Sequence, residues 1–328
     1  MDRKVKALSL FSGGLDSTLA IMLIIEQGIE VAAVHFSTPF CTCKGQACSD
    51  PARAYGFELK KIAIGDDFLR ILEDPPHGYG KNLNPCIDCR ILMLRRAKEM
   101  MDEFGASFLI TGDVVGQRPM SQNKKALAEI EKSSGVEGIL LRPLSARILP
   151  MTIPEKKGWV DRARLYGISG RSRKVQFQLA ERFGVKNFPQ PAGGCLLTDP
   201  IYSRKVKDLI DHKILNTDNI TLLKIGRHFR IGEQSRLIVG RNKEENEQLP
   251  HLTKSGDLVL TVSSIPGPTA ILRGIANREI LKIATGIVAR YSDHSNRSVK
   301  IEIKEPSKLK DAFVAIPYSD DEISKFRL

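Results

Sequence analysis

The chain has 328 residues, of which 42% are hydrophobic, and its 50 Lys and Arg against 38 Asp and Glu give a net charge of +12. This length and apolar content predict a globular protein of two domains. No apolar run approaches the roughly 20 residues that a membrane-spanning helix needs, so we expect no membrane segment. The basic charge suits a polyanionic partner, although a surface rich in ion pairs gives the same excess.

The N-terminus, Met-Asp-Arg-Lys, leads directly into an apolar run and leaves no room for a signal peptide, so we expect a cytoplasmic protein. Beyond it, predicted buried strands alternate with predicted helices. The strands are expected at 5–11, 30–36, 57–64, 107–111 and 138–142. The helices are expected at 17–27, 48–55, 66–73 and 90–104. This alternation predicts an α/β fold with a doubly wound parallel sheet, whose ligands bind at the carboxyl ends of the strands. We therefore expect chemistry in loops 12–16, 37–48 and 112–118.

The first of these loops belongs to residues 12–17, which read Ser-Gly-Gly-Leu-Asp-Ser between a predicted strand and a predicted helix. Two glycines allow a tight turn that points backbone N–H groups inward. We expect Ser17 to cap the helix, whose dipole adds positive potential at the same place. The segment therefore predicts a phosphate site, and its spacing lacks the Gly-Lys-Thr of a Walker loop.

Six cysteines stand at positions 41, 43, 48, 86, 89 and 195. In a cytosolic chain they point to metal binding or catalysis rather than to disulfides. Cys86 and Cys89 precede an apolar helix, whose start is expected to lower the pKa of nearby thiols. With Cys195 they could hold a [4Fe–4S] cluster with one open iron, or form a persulfide or disulfide relay. A third reading is zinc, with a fourth ligand from Cys41, Cys43 or Cys48.

The C-terminal part is β-rich and predicts a second α+β domain. Strands are expected at 219–225, 235–240, 257–264, 269–273 and 299–303. A polar helix is expected near 203–213 and a long helix at about 276–292. We therefore predict one domain over residues 1–205 and another over residues 218–328.

Several motifs resemble those of the PP-loop superfamily of tRNA thiouridine synthetases, which have an adenine nucleotide α-hydrolase-like fold. They are Ser12–Ser17, Asn84-Pro-Cys-Ile-Asp-Cys89, Thr111-Gly-Asp113, Arg142-Pro-Leu144 and Cys195. Cys86 replaces the acidic residue of the persulfide-dependent thiouridylases and gives the cysteine set of the iron–sulfur-dependent type. The resemblance implies that ATP and Mg²⁺ adenylate a uridine carbonyl oxygen of tRNA. Sulfur delivered through a three-cysteine [4Fe–4S] cluster then replaces that oxygen.

The resemblance and the loop chemistry together give a set of expected site residues. Those expected at ATP are Ser12, Gly13, Gly14, Asp16, Ser17, Phe36, Gly112 and Asp113. Those expected in catalysis are Asp16, which would hold Mg²⁺, and the three cysteines Cys86, Cys89 and Cys195, which are also the expected metal ligands. Basic residues expected at RNA phosphates are Arg118, Arg142, Arg171, Arg173, Lys174, Arg241 and Lys243.

Residues 236–249 and 262–272 resemble the NFACT-R module of ribosome-quality-control, fibronectin-binding-like proteins, which implies RNA binding. Further contacts to test there are Arg227, His228, Arg230 and Arg273. A scaffold or a homodimerisation domain is the other reading. The implied partners are tRNA and a sulfur donor, which could be sulfide, a cysteine desulfurase or a sulfur carrier. The alternatives for the whole chain are a persulfide-dependent thiouridylase without a cluster, cytidine 2-thiolation, and a non-enzymatic RNA-binding or quality-control factor.

Overall fold

The computed structural model describes residues 4–42, 52–186, 188, 194–263, 265–293, 298–305 and 308–328. The chain divides between Thr198 and Asp199 into two compact units. The helix at 200–211, through which the predicted limit at residue 205 passes, falls wholly in the second unit. None of the described helices is long and apolar enough to cross a membrane.

The first unit contains a parallel sheet. Its strands are β1 (Lys6–Leu10), β2 (Glu30–Ser37), β3 (Glu58–Ala63), β4 (Phe108–Thr111) and β5 (Leu140–Leu141). They lie in the order β3-β2-β1-β4-β5, and every neighbouring pair is parallel. In register, Leu8 of β1 lies opposite Ala32 on one side and Leu109 on the other. The strand order reverses at β1, so the loops after β1 and β4 flank the crevice where such folds bind ligands. The predicted doubly wound sheet is confirmed.

Helices cover both faces of this sheet. Alternate residues of β1 point to opposite faces, and each set packs against a different layer of helices. They are α1 (Leu15–Ile25), α2 (Gly65–Glu73), α3 (Cys86–Glu99), α4 (Lys124–Ser134), α5 (Ile153–Lys156) and α6 (Lys174–Arg182). Ala7 packs with Ile21 and Ile24 of α1, whereas Leu8 packs with Ile91 of α3 on the other face. Both layers have the continuous apolar strands that a doubly covered sheet requires.

Two helix predictions in this unit differ from the structure in their bounds. The helix predicted at 90–104 begins at Cys86, so Cys86 and Cys89 both lie in the first turn of α3 instead of in a preceding loop. Of the helix predicted at 48–55, residues 52–55 are helical and the others lie outside the described residues.

The second unit contains an antiparallel sheet in the order β11-β10-β8-β9-β7-β6. Its strands are β6 (Arg227–Gly232), β7 (Ser235–Val239), β8 (Leu258–Val262), β9 (Thr269–Gly274), β10 (Val299–Glu305) and β11 (Lys308–Ala315). Its helices are α7 (Pro200–Asp211), α8 (Thr217–Leu223), α9 (Lys243–Gln248), α10 (Arg278–Arg290) and α11 (Asp320–Ser324). The helix α10 packs on one face through Ala284, Ile287 and Val288. On the other face, Leu222 of α8 packs on Ile238 and Ile271. The predicted α+β domain is confirmed.

The strand predicted at 219–225 is wrong. These residues form most of α8, because the Asn216 side chain accepts a hydrogen bond from the Asn219 N–H and so caps a helix there. Two strands, β6 and β11, were not predicted. β6 carries charged residues at Arg227 and Arg230 that break the apolar alternation.

Candidate active site

The glycine turn at residues 12–14 joins β1 to the start of α1. Gly13 has φ +77°, a conformation that favours glycine. The Ser17 hydroxyl donates to the Gly14 carbonyl oxygen over 2.8 Å and lies 3.1 Å from the Ser12 hydroxyl oxygen. The helix begins at Leu15 with Gly14 as its N-cap, so the expected capping by Ser17 is wrong. Ser17 instead holds the turn closed beneath the N-terminus of α1, which is the geometry of an anion site.

Gly112, at the end of β4, lies directly against the start of α1. A Cβ atom on Gly112 would be 2.5 Å from both the Asp16 carbonyl carbon and the Ser17 nitrogen. These are backbone atoms of a helix and cannot yield to a side chain. Glycine is therefore needed here so that α1 can approach β4, whereas the sequence had assigned it to the approach of the nucleotide.

Asp16 lies at the mouth of the loop and is partly exposed. Its Oδ2 accepts a hydrogen bond of 2.8 Å from Gln117 Nε2, and Gln117 Oε1 accepts one of 3.1 Å from Gln176 Nε2. Asp16 Oδ1 makes no hydrogen bond to any described residue, and its nearest cation is Arg173, 3.7 Å away. A carboxylate oxygen left without a donor beside the glycine loop is the kind of ligand that Mg²⁺ prefers.

Asp113 is buried and fully engaged by neighbouring side chains. Its carboxylate accepts hydrogen bonds from Arg90, from Gln122 Nε2 at 2.9 Å and from Thr111 Oγ1 at 2.9 Å. Burial favours the protonated acid, but the cations Arg90 and Arg142 outweigh it and hold the pKa of Asp113 well below its usual range. Asp113 therefore ties α3 to the end of β4 and offers no free oxygen to a nucleotide.

Phe36, which was expected against adenine, lies in the hydrophobic core instead. Only 6% of its surface is exposed, and it packs with Leu10, Ile64 and Ile91. It lies on β2 one residue before the strand ends, where its side chain points into the sheet's own packing layer. The ring is therefore not available to stack on a base, and the expected contact with adenine, which would run through the backbone at the end of this strand, stays a prediction.

The structure brings Cys86, Cys89, Cys195 and also Cys41 together. Cys86 and Cys89 lie in the first turn of α3, and Asn84 Nδ2 donates to Cys86 Sγ at 3.2 Å. Cys41 and Cys195 pair in an antiparallel β-bridge. A 2.7 Å hydrogen bond from Asn82 Nδ2 to the Thr198 carbonyl oxygen joins the loop before α3 to the segment that carries Cys195. The sequence had left the role of Cys41 open.

Burial and the neighbouring thiols raise the pKa values of two of these cysteines, Cys89 and Cys195. Burial raises the pKa of Cys89, and the neighbouring Cys195, Cys86 and Cys41 raise it further. Burial also raises the pKa of Cys195 to about 11, partly offset by a backbone hydrogen bond from Leu197. The expected lowering of thiol pKa values by the helix start is therefore wrong for Cys89, because desolvation outweighs the helix. A raised pKa means that burial favours the neutral thiol form of Cys89 and Cys195.

The donor set decides which metal group suits this cluster of thiols. Among the described residues, no three His, Cys, Asp or Glu side chains are close enough together to hold a single metal ion. Cys43 and Cys48, two of the possible zinc ligands, lie outside the described residues. A [4Fe–4S] cluster binds each cysteine through a different iron, and thiolates are the soft donors that such clusters take.

The basic residues of the first unit differ in how far their side chains are exposed to solvent. Arg118 is exposed and lies near enough to Cys195 to lower the pKa of that thiol. Arg171 and Lys174 are exposed, as contacts with an RNA backbone require. Arg142 is buried and paired with Glu131, so its expected contact with RNA is wrong. Arg173 points inward, toward the glycine loop.

In the second unit, Lys243 is the most open of the expected RNA contacts, with 85% of its side chain exposed. Arg241 is half-exposed and bonded to Glu245, and Arg227 lies over the ring of Tyr291.

The side chains of the other three expected RNA contacts in this unit bond to other residues of the protein. Arg230 binds Asp208 through two nitrogens, at 2.9 and 2.6 Å. Arg273 binds Asp257 in the same way, with Nη2 at 2.6 Å. His228 is buried, and its Nε2 is 2.8 Å from the Ile225 carbonyl oxygen. Their expected contact with RNA is wrong, since none of these side chains is free at the surface.

Comparison with known proteins supports both predicted resemblances. Residues 3–147 match the family model of the thiamine biosynthesis protein ThiI. Residues 226–327 match the NFACT protein RNA binding domain. The chain thus has one region similar to ThiI and a second region similar to the NFACT RNA binding domain. The resemblance predicted from the motifs is confirmed at this level, and the NFACT-type match takes in almost the whole second sheet.

The curated relatives matched by the PP-loop region are longer proteins. A probable tRNA sulfurtransferase of Methanosarcina mazei is 33% identical over 193 residues, which are 55% of this chain and 44% of that protein. One from Thermococcus kodakarensis is 30% identical over 121 residues, which are 34% of this chain and 30% of that protein. The chain thus spans less than half the length of these relatives.

Two solved structures are similar to parts of this chain. A 4-thiouridine synthetase in complex with RNA and ATP is 23% identical, with a TM-score of 0.36 over 55% of this chain and 52% of that one. The NMN synthetase of Francisella tularensis is 15% identical, with a TM-score of 0.30 over 58% of this chain and 91% of that one.

Four residues that the sequence analysis missed link the glycine loop to the segment that carries the cysteines. They are Arg90, Gln117, Gln122 and Gln176. Arg90 directly follows the Cys-x-x-Cys segment, and Gln117 lies in a loop already expected to carry chemistry, so position alone could have indicated these two. Gln122 and Gln176 carry no motif, and only the fold brings them to the site.

Proposed function

We propose that this chain is an ATP-dependent tRNA sulfurtransferase that replaces a uridine carbonyl oxygen with sulfur. The observation that carries the proposal is a set of contacts leading from the glycine loop to the thiols. Asp16 is bonded to Gln117, and the same loop carries Gln122, which is bonded to Asp113. Asp113 in turn holds Arg90, the residue after Cys89. These contacts link the glycine loop to the cysteines, which supports a phosphate site and a sulfur site at the same edge of the sheet.

The chemistry that suits this arrangement has two steps. In the first, the uridine oxygen attacks the α-phosphorus of ATP, the bond to the bridging oxygen breaks, and pyrophosphate leaves. In the second, a sulfur nucleophile adds to the activated carbon, the carbon–oxygen bond breaks, and AMP leaves with that oxygen. The names of the curated relatives, probable tRNA sulfurtransferases, support tRNA as the substrate. The base must leave its stack to reach a site inside the protein.

The glycine loop would bind the phosphates of ATP. The backbone N–H groups at the start of α1 and the hydroxyls of Ser12 and Ser17 lie together there, and the helix dipole favours negative charge. Asp16 Oδ1 is available to Mg²⁺, which would neutralise the leaving pyrophosphate.

The cysteines would supply the sulfur chemistry. Cys86, Cys89 and Cys195 are the residues that would hold a [4Fe–4S] cluster, which when bound offers one iron without a protein ligand for an exogenous sulfide. Burial is the main cause of the raised pKa of Cys89. A thiol with a raised pKa suits a metal ligand better than a free nucleophile. Arg118 adds positive charge beside Cys195, where an anionic sulfur donor would approach.

The second unit would bind the RNA. Its match to the NFACT protein RNA binding domain supports this role, and Lys243 and Arg241 are the exposed and half-exposed cations that it offers. The net charge of +12 suits a tRNA backbone. The sulfur donor would be sulfide, a cysteine desulfurase or a sulfur carrier, and a homodimer remains the other use of this unit.

Pyrophosphate exchange into ATP, measured with and without unmodified tRNA, tests the activation step. We expect exchange that depends on tRNA and Mg²⁺, that is lost in Asp16→Asn, and that persists in Lys207→Ala, a surface change on α7. The absence of exchange with folded protein and a full set of tRNAs would favour an RNA-binding or quality-control factor. Exchange stimulated only by a cytidine-containing target would favour cytidine 2-thiolation.

Iron and sulfide analysis after anaerobic purification tests the cysteine roles. We expect about four irons per chain, by the cluster stoichiometry, with a visible absorption band that is lost in Cys86→Ser. A colourless, iron-free protein that still transfers sulfur from a persulfide would replace the cluster with a persulfide relay.

A further inference from the structure

Arg173 differs from its basic neighbours in the segment Gly170-Arg-Ser-Arg-Lys174. Arg171 and Lys174 are exposed, whereas only 13% of the Arg173 side chain is accessible. Arg173 lies at the N-cap of α6, and its guanidinium group rests 5.4 Å from the centre of the Phe177 ring. The helix and this ring hold the cation on the inner side of the segment, away from any RNA surface.

The guanidinium group faces Asp16 of the glycine loop, and two of its three nitrogens are buried without a hydrogen-bond partner among the described residues. Its Nη2 is 3.7 Å from Asp16 Oδ1, which is too long for a hydrogen bond. Within the described part of the chain, Arg173 Nε and Nη1 and Asp16 Oδ1 are all buried without a hydrogen-bond partner. A buried cation left in this state costs free energy, which a bound group would recover.

The missing partner has the properties of a phosphate chain. It must be anionic to satisfy Arg173, and it must fit beside the N-terminus of α1 and the turn at Gly13. A guanidinium fork suits phosphate oxygens, which it binds through two parallel hydrogen bonds.

From this geometry we infer that Arg173 binds the pyrophosphate portion of ATP and exchanges its weak contact with Asp16 for the phosphates when Mg²⁺–ATP enters. The inference rests on the proposed function only in taking ATP as the ligand of the glycine loop. Asp16 is thereby released to Mg²⁺, while Gln117 and Gln176 keep its other oxygen in place. Arg173 then places its positive charge beside the negative charge that develops on the leaving pyrophosphate.

This assignment separates the basic segment into two functions. Arg173 serves the nucleotide from the inner side, and Arg171 and Lys174 remain available to RNA from the outer side. The start of α6 would thus contact both substrates of one reaction, and its position would depend on both.

Isothermal titration of inorganic pyrophosphate and of AMP with Mg²⁺ present tests the inference. We expect Arg173→Gln to weaken pyrophosphate binding by roughly 10- to 100-fold, the range of a lost charge-assisted pair. AMP binding should change less than threefold, and Arg173→Lys should fall between the two proteins. The matched control is Arg182→Gln, at the far end of the same helix, where the side chain pairs with Glu26. It should leave pyrophosphate affinity unchanged.

Two results would overturn the inference. One is pyrophosphate affinity in Arg173→Gln equal to that of the original protein. The other is a loss of tRNA affinity in Arg173→Gln with pyrophosphate affinity intact, which would return Arg173 to RNA binding. Circular dichroism and thermal melting of each variant check that the fold is retained, and Arg173→Lys provides a folded variant that keeps the charge. If the original protein binds pyrophosphate through Arg173 yet makes no thionucleoside, only the proposed function fails.

Discussion

Cys41 and Cys195 face each other across a short antiparallel bridge. The Leu196 N–H donates to the Phe40 carbonyl oxygen at 2.9 Å, and the Thr42 N–H donates to the Gly194 carbonyl oxygen at 3.2 Å. These flanking bonds make Cys41 and Cys195 a non-hydrogen-bonded pair, in which the Cα atoms lie about 4.5 Å apart. That separation falls within the range for a disulfide.

Mild oxidation of the metal-free protein should therefore join Cys41 to Cys195. We expect peptide mass spectrometry after diamide treatment to find this crosslink in preference to Cys86–Cys89. The reason is that the bridge already holds the Cα atoms of Cys41 and Cys195 at a separation that a disulfide can span. Cys41→Ser should abolish the crosslink. A dominant Cys86–Cys89 or Cys89–Cys195 disulfide would contradict the arrangement.

The Arg90–Asp113 ion pair predicts a large loss of stability when it is broken. Asp113→Asn leaves the partly buried Arg90 and the buried Arg142 with one carboxylate fewer, so the free energy of unfolding should fall by about 3–5 kcal/mol. The matched control is Asp67→Asn, which breaks the more exposed pair with Arg96 and should cost under about 1 kcal/mol. Urea unfolding measures both, and equal losses would show that Asp113 has no special anchoring role.

The close approach of Gly112 to α1 predicts that Gly112→Ala damages the nucleotide loop. The added methyl group meets backbone atoms of Asp16 and Ser17 at 2.5 Å, so α1 must move away from β4. We expect at least a tenfold loss of ATP affinity, corresponding to about 1.4 kcal/mol. Gly65→Ala is the control, because nothing lies within 4 Å of its Cβ position at the start of α2. Unchanged ATP affinity in Gly112→Ala would count against the loop as the nucleotide site.

His228 predicts a pH dependence of stability. Burial holds the pKa of His228 well below its usual value of 6.5, and the cations Lys205 and Arg236 add to the effect. Below about pH 6.5 the unfolded chain takes up a proton that the folded chain excludes, so this contribution to stability is present above pH 6.5 and lost as the pH falls. Comparing urea midpoints at pH 7.5 and 5.5 should show a smaller loss in His228→Gln than in the original protein.

The control for this experiment is His251→Gln, at an exposed position in the same unit. His251→Gln should lose as much stability between pH 7.5 and pH 5.5 as the original protein does. A His228→Gln variant with the same pH dependence as the original protein would show that His228 is not the group responsible.

The sequence predicted the parallel sheet and the glycine loop well, because apolar strands and a Ser-Gly-Gly-x-Asp-Ser turn are local signals. It did not predict the engagement of Asp113 or the burial of Arg142, since an ion pair across two elements depends on the tertiary fold. The proximity of Cys41 to Cys195 required a pairing between segments more than 150 residues apart. In the second unit, the predicted strand at 219–225 failed because side-chain capping by Asn216 outweighed the β-branched composition.

The most direct test of the proposed function is nucleoside mass spectrometry of tRNA incubated anaerobically with the protein, ATP, Mg²⁺ and labelled sulfide. We predict one labelled thiouridine for each AMP released, with no thiouridine from Cys195→Ser or Asp16→Asn. Release of AMP and pyrophosphate without labelled thiouridine, or equal thiouridine formation by Cys195→Ser, would contradict the account.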